Sequence, residues 1–169
     1  MDNKQILIRR IVKNAIVLAL YVALTFISYP ISFTGLQFRI SELLVLLCFF
    51  NRDYVIGITL GCLLCNFASG PLFPWDLLIG TGATLLSCLA ISFSKHLGIA
   101  SLFPIIFNSF LVGYEYYFIL HQPYWISVGE VAIGESVIIV ISYILCLFIM
   151  KKEVMLNLID AKRNRDFKW

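Results

Sequence analysis

Charge is what this 169-residue sequence has least of. Only 14% of its residues are charged, and 60% are hydrophobic. Soluble domains carry roughly 25% charged residues, so this chain cannot cover a water-facing surface of its own. A water-soluble globule is excluded, and a chain solvated by lipid is implied. Histidine is nearly absent: His96 and His121 stand in separate polar breaks, neither has a partner at ligand spacing, and no zinc motif is present. The sequence therefore predicts no metal site and no cofactor. The five cysteines, Cys48, Cys62, Cys65, Cys88 and Cys146, all fall in apolar segments. Cys62-Leu-Leu-Cys65 lacks a second ligand pair, so all five read as small apolar helix residues.

Missing motifs narrow the function. Gly80-Thr-Gly82 lacks the last glycine of a dinucleotide loop, and no Walker A sequence occurs, so any ATP-driven step belongs to another polypeptide. Without HExxH, a suitable aspartate pair or a nucleophile with a partnered base, an intramembrane enzyme has no support. After the apolar run Ala15 to Ile27 comes Tyr29-Pro30 instead of a small-x-small cleavage site, so that run reads as a retained span. The net charge of +3 sits at the two ends of the chain with no interleaved aromatic patch, which argues against nucleic acid as a partner.

What the chain does have is apolar runs, at 12–29, 38–51, 54–70, 75–94, 101–120 and 126–150. Backbone groups in lipid must bond within their own segment, so such runs become helices. The fold expected is an all-α, six-span membrane bundle forming one domain over 1–169, with a basic tail at 151–169. Six spans leave both termini cytoplasmic and put every Lys and Arg except Arg39 inside, the positive-inside pattern. Five spans would strand one basic tail outside. The second run is short, and its helix is expected to carry Arg39 and Glu42 at membrane depth.

The carboxylates distribute the other way. Glu42, Asp76, Glu115, Glu130 and Glu135 lie in spans or at their outer ends. A charged group there costs several kcal/mol unless it is paired or faces a watery cavity, which makes each a candidate functional residue. Arg39 and Glu42, three apart, can pair on one helix face. Asn108 and Glu115, seven apart, share a face of the fifth span. Glu130 and Glu135 point about 140° apart, and Glu135 lies about 15 Å below the interfacial Trp125. With Asn66, Trp75, Tyr114, Tyr116 and Tyr117, these residues outline an outward-facing polar pocket for a small ligand rich in N–H donors or positively charged. Trp75 serves equally as an interfacial anchor. Proton coupling is the rival use of the buried acids. Ala15, Ala19 and Ala23 on the first span, and Gly57 and Gly61 on the third, are small-residue stripes that allow close helix approach.

Gln37-Phe-Arg39-Ile-Ser-Glu42, Gly61-Cys-Leu-Leu-Cys-Asn66, Trp75-Asp76-Leu-Leu-Ile-Gly80-Thr, Phe107-Asn108-Ser-Phe-Leu-Val-Gly113 and Val128-Gly-Glu130 together resemble the queuosine-precursor transporter family, QueT. The resemblance runs from Arg10 to about Lys151 and departs at Cys48, where proline is common, and in the short 94–104 segment. It implies a substrate-binding S component of an energy-coupling factor (ECF) transporter in the bacterial plasma membrane, working with a T component and two ATPase subunits. It also implies a deazaguanine ligand, a lid at about Pro30 to Phe38, and a T-component contact on Ala15, Ala19 and Ala23. Within that ligand, Glu115 and Glu130 suit the pairing edge, Asn66 and Asn108 assist, and Asp76 suits an ammonium group. The alternatives are an S component for another planar nutrient and a stand-alone proton-coupled transporter.

Overall fold

The computed structural model describes residues 3–29 and 38–163, and among these the secondary structure is entirely helical. Helix α1 (Asn3–Ile27) precedes a 3-10 segment (Ile40–Leu44), the single turn α2 (Leu47–Phe50) and α3 (Tyr54–Asn66). A 3-10 turn (Gly70–Leu72) leads to α4 (Trp75–Phe93), α5 (Leu97–Leu120), α6 (Tyr124–Met150) and the short α7 (Glu153–Leu158). Helices α1, α4, α5 and α6 are long and apolar enough to cross a bilayer; Ile40–Phe50 and α3 are apolar but shorter. Residues 30–37 of the expected lid lie outside the described residues.

The elements form a closed ring. Helix α1 packs on α3, α3 on α4, α4 on α5 and α5 on α6, and the 3-10 segment touches both α6 and α1 to complete the circuit. Small residues permit the closest of these approaches. A Cβ on Gly57 would sit 2.7 Å from the Asn14 carbonyl oxygen, and one on Gly61 2.9 Å from the Tyr21 Cβ. The glycine stripe therefore serves the protein's own packing. The Gly57 amide, in the first turn of α3, also donates to Asn14 Oδ1 at 2.8 Å, tying α3 to α1. Ala15, Ala19 and Ala23, in contrast, remain exposed.

One expectation is corrected. The sequence predicts a single helix over 38–51, but the chain forms a 3-10 segment, turns at Val45–Leu46 and resumes as α2. Ser41 and Glu42 both bond to α1, through Thr25 and Tyr21. Ser142 on α6 donates to the Leu43 carbonyl at 2.7 Å, taking up an acceptor the irregular backbone releases. Such backbone is tolerated at membrane depth where protein surrounds it. Val45, Leu46, Cys48, Phe49 and Phe50 are all fully buried.

The two ends of the bundle differ chemically. At one, Trp75, Phe118, Tyr114, Tyr117, Tyr124 and Trp125 make a continuous chain of ring contacts. All but Tyr124 are exposed, as in an interfacial aromatic belt. At the other, α7 and residues 159–163 fold back as a strap. The amides of Lys162 and Arg163 donate to the Phe50 carbonyl at 3.0 Å, and Asn51 and Tyr54 donate to the carbonyls of Asp160 and Ile159. Asp53 and Asp160 there join Arg9, Arg10, Lys13 and Lys162 in an ion-pair network.

Candidate functional site

The closing 3-10 segment delivers Arg39 and Glu42 into the ring. The Arg39 guanidinium donates to Asn66 Oδ1 at the end of α3 and lies 3.8 Å from Asp76 Oδ2 in the first turn of α4. Asn66 is itself oriented by α4, donating through Nδ2 to the Asp76 carbonyl at 2.8 Å and to Thr81 Oγ1 at 3.1 Å. Arg39 and Glu42 do not form the ion pair their spacing suggests. Glu42 Oε1 instead accepts from the Tyr21 hydroxyl at 2.5 Å and from Thr84 at 3.4 Å. An i,i+3 pair needs a regular helix to align it, and Arg39 sits at the cap of the 3-10 segment, outside its regular turns.

Beside this cluster stands Glu115 of α5. It is completely buried, its charged neighbours are Asp76 and Arg39, and neither of its carboxylate oxygens has a hydrogen-bond partner among the described residues. The same holds for both oxygens of Asp76 and for Glu42 Oε2. Asp76 is held against its own helix: a Cβ on Gly80, one turn on, would meet its Oδ1 at 1.9 Å. About 10 Å farther along the same face of α5, Asn108 donates to Glu135 Oε1 at 2.9 Å. Glu135, in the middle of α6, lies within electrostatic reach of Glu42 and Arg39.

The structure thus brings together Arg39, Glu42, Asn66, Asp76 and Glu115, with the Asn108–Glu135 pair below them. Glu130 stands apart, half-buried on α6 with no hydrogen bond or ion pair among the described residues. Trp75 is 46% exposed and packs edge-on against Phe118 in the belt. Tyr114 and Tyr117 lie on that belt also, while Tyr116 is buried with Leu72, Val112 and Val131. Sequence reasoning missed Tyr21, Thr81 and Thr84, the hydroxyls that meet Glu42 and Asn66, and Thr25, which meets Ser41 beside Glu42. A signal existed for Tyr21 and Thr25: Asn14, Tyr21, Thr25 and Ser28 recur at spacings of seven, four and three, a polar stripe along one face of α1.

A buried carboxylate without a donor is costly, and Glu115, beside the Arg39–Asp76 ion pair, is such a group and marks the candidate site. The architecture is that of a helical membrane protein with a polar site enclosed by its bundle. The family model of the QueT transporter matches residues 11–151, and the chain belongs to that family. It is 37% identical over 142 residues to the queuosine precursor transporter QueT of Lactococcus lactis subsp. cremoris (strain MG1363), an alignment covering 74% of this chain and 82% of that protein. No solved structure matches the chain. The family and this relative are transporters, not enzymes.

Proposed function

We propose that the chain is the substrate-binding S component of an ECF-type ABC importer. It captures a 7-deazaguanine queuosine precursor from outside the bacterial cell membrane for uptake driven by a separate T component and two ATPase subunits. In this reading residues 1–169 form one membrane domain with six crossings, the shorter apolar stretches supplying two of them. Both termini and the 151–169 tail are cytoplasmic, on the side of the basic cluster, and the aromatic belt faces out. The exposed alanines Ala15, Ala19 and Ala23 form the T-component contact.

The observation that carries the reading is Glu115, a buried carboxylate neither of whose oxygens has a donor among the described residues, next to Asp76 in its ion pair with Arg39. A guanine-like edge offers adjacent N–H groups that one carboxylate accepts in bidentate fashion. Glu115 takes that edge, Asp76 an ammonium substituent, and Asn66 and Arg39 hold Asp76 in place. Asn108, Glu42 and Glu135 line the deeper wall, with Glu130 and Trp75 toward the mouth.

Titrating purified protein with the aminomethyl and cyano bases tests this directly. Saturable binding of at least one is expected. Glu115→Gln should weaken it about tenfold or more, since hydrogen bonds to charged groups contribute about 1.5–3 kcal/mol. Failure to bind either base contradicts the substrate assignment. The donorless acids also favour a second reading, proton-coupled transport without ATPase partners.

A further inference from the structure

The cationic side chains at the basic end of the bundle outnumber what the local acids neutralise. Arg9, Arg10, Lys13 and Lys162 face only Asp53 and Asp160 in their network, a surplus of two positive charges among these six groups. The cations remain accessible: the side chains of Arg9, Arg10 and Lys162 are 57%, 54% and 41% exposed. Together with Ile6 and Asp160 these three line a recess of about 160 Å³. That recess shares a residue with each of two larger apolar grooves on opposite flanks of α1. Arg9 joins it to a groove lined by Ile8, Val12, Ile16 and Leu158. Arg10 joins it to a second, lined by Leu7, Ile11, Leu18, Ile56 and Leu60.

A compact basic recess continuous with long apolar grooves matches one kind of molecule, an anionic lipid. We propose that the basic end of α1 is a specific seat for one anionic phospholipid, its phosphate on Arg9, Arg10 and Lys162 and its acyl chains along the flanking grooves. Charge complementarity identifies the head group's sign, since a zwitterionic lipid would leave the surplus unneutralised. The apolar lining identifies the rest of the molecule, since a free anion would leave both grooves empty. The strap makes the seat functional as well as adhesive. Lys162 and Asp160 belong to a segment whose amides hold Phe50, the last residue of α2, so a lipid bridging α1 and Lys162 braces the strap against the bundle.

The test uses the full chain in nanodiscs of equimolar phosphatidylglycerol and phosphatidylcholine, extracted gently and read by native mass spectrometry. The wild type should retain one phosphatidylglycerol in preference to phosphatidylcholine by about tenfold or more, from near-surface cation contributions of about 1 kcal/mol each. Arg9→Gln with Arg10→Gln should abolish the preference. Arg9→Gln alone, whose ion pair to Asp160 is a loose 4.0 Å, should reduce it while leaving the melting temperature in detergent unchanged. Lys151→Gln with Lys152→Gln, outside the recess, should leave it intact. Equal retention of the two lipids, a preference that survives both arginine variants, or loss in the Lys151/Lys152 control would overturn the proposal. So would retention of inorganic phosphate without lipid, or copurification of a protein subunit through Arg9 and Arg10 with no lipid preference.

Discussion

Gly80 has no side chain because the carboxylate of Asp76 occupies the space where one would be. Adding a methyl group there would force the carboxylate off the helix surface and away from Arg39. Losing a charge-assisted hydrogen bond costs about 1.5–3 kcal/mol, so Gly80→Ala should weaken ligand binding about tenfold or more while the helical content stays unchanged. Calorimetric titration beside circular dichroism checks both halves; unaltered affinity would mean that Asp76 does not meet the ligand. At this scale the acids were legible in the sequence because an ionisable residue in an apolar run stands out. Their hydroxyl partners were not. Thr81 and Thr84 are unremarkable in an apolar helix, and only contacts from α4 to α3 and the 3-10 segment reveal their role; Tyr21 stood on a polar stripe of α1, but nothing local names Glu42 as its partner. The partner of Arg39 was hidden for a related reason: local spacing favours Glu42, whereas tertiary packing supplies Asn66 and Asp76.

Among the elements, α1 and α3 approach so closely that Gly61 touches the Tyr21 side chain. Gly61→Ala would push α1 outward and strain the Tyr21–Glu42 hydrogen bond with it. A loss of stability of ~1–3 kcal/mol is expected, seen as a lower melting temperature in detergent. Gly82→Ala, where a Cβ would meet nothing within 4 Å, serves as the neutral control. Helices α4, α5 and α6 could be read from hydropathy to within about four residues of their ends, because length and apolarity suffice to define them, whereas α1 begins at Asn3, well before the apolar run at 12–29, since its basic first turns carry no hydropathy signal. The 38–51 run could not. Its apolar residues fit a helix, and nothing in that pattern marks the tertiary hydrogen bonds, Ser41 and Glu42 to α1 and the Leu43 carbonyl to Ser142 of α6, that hold the 3-10 segment. Likewise, the glycine stripe and the alanine stripe look alike in sequence. Only the fold separates them, one buried against α1 and the other exposed on it.

For the molecule as a whole, the strap at the basic end ties α7 to α1 and to the loop before α3. Burial pushes the Asp160 carboxyl up, but the hydrogen bond and charge of Lys13, with Lys162 and Arg9, outweigh this and hold it below its ordinary value. A carboxylate so depressed contributes stability above the unfolded value and loses it as pH falls through the folded one. Strap docking should therefore be intact at neutral pH and weaken below pH ~4. Asp160→Asn should lower stability at pH 7 and flatten the acid dependence, as hydrogen exchange of the Lys162 and Arg163 amides would report. The basic and aromatic ends of the bundle were legible as opposite ends of the spans, and the structure keeps them so. The strap itself was not, since a charged tail carries no sign of what it folds against.

The central claim is that this bundle captures a deazaguanine and depends on other subunits to move it. Uptake of the labelled aminomethyl base should be measured in cells expressing the chain with and without the T component and ATPases. Accumulation is expected only with all of them present, indifferent to a protonophore while ATP is maintained, and sharply reduced by Glu115→Gln. Accumulation by the chain alone, collapsed by the protonophore, would contradict the account and make the buried acids a proton path instead.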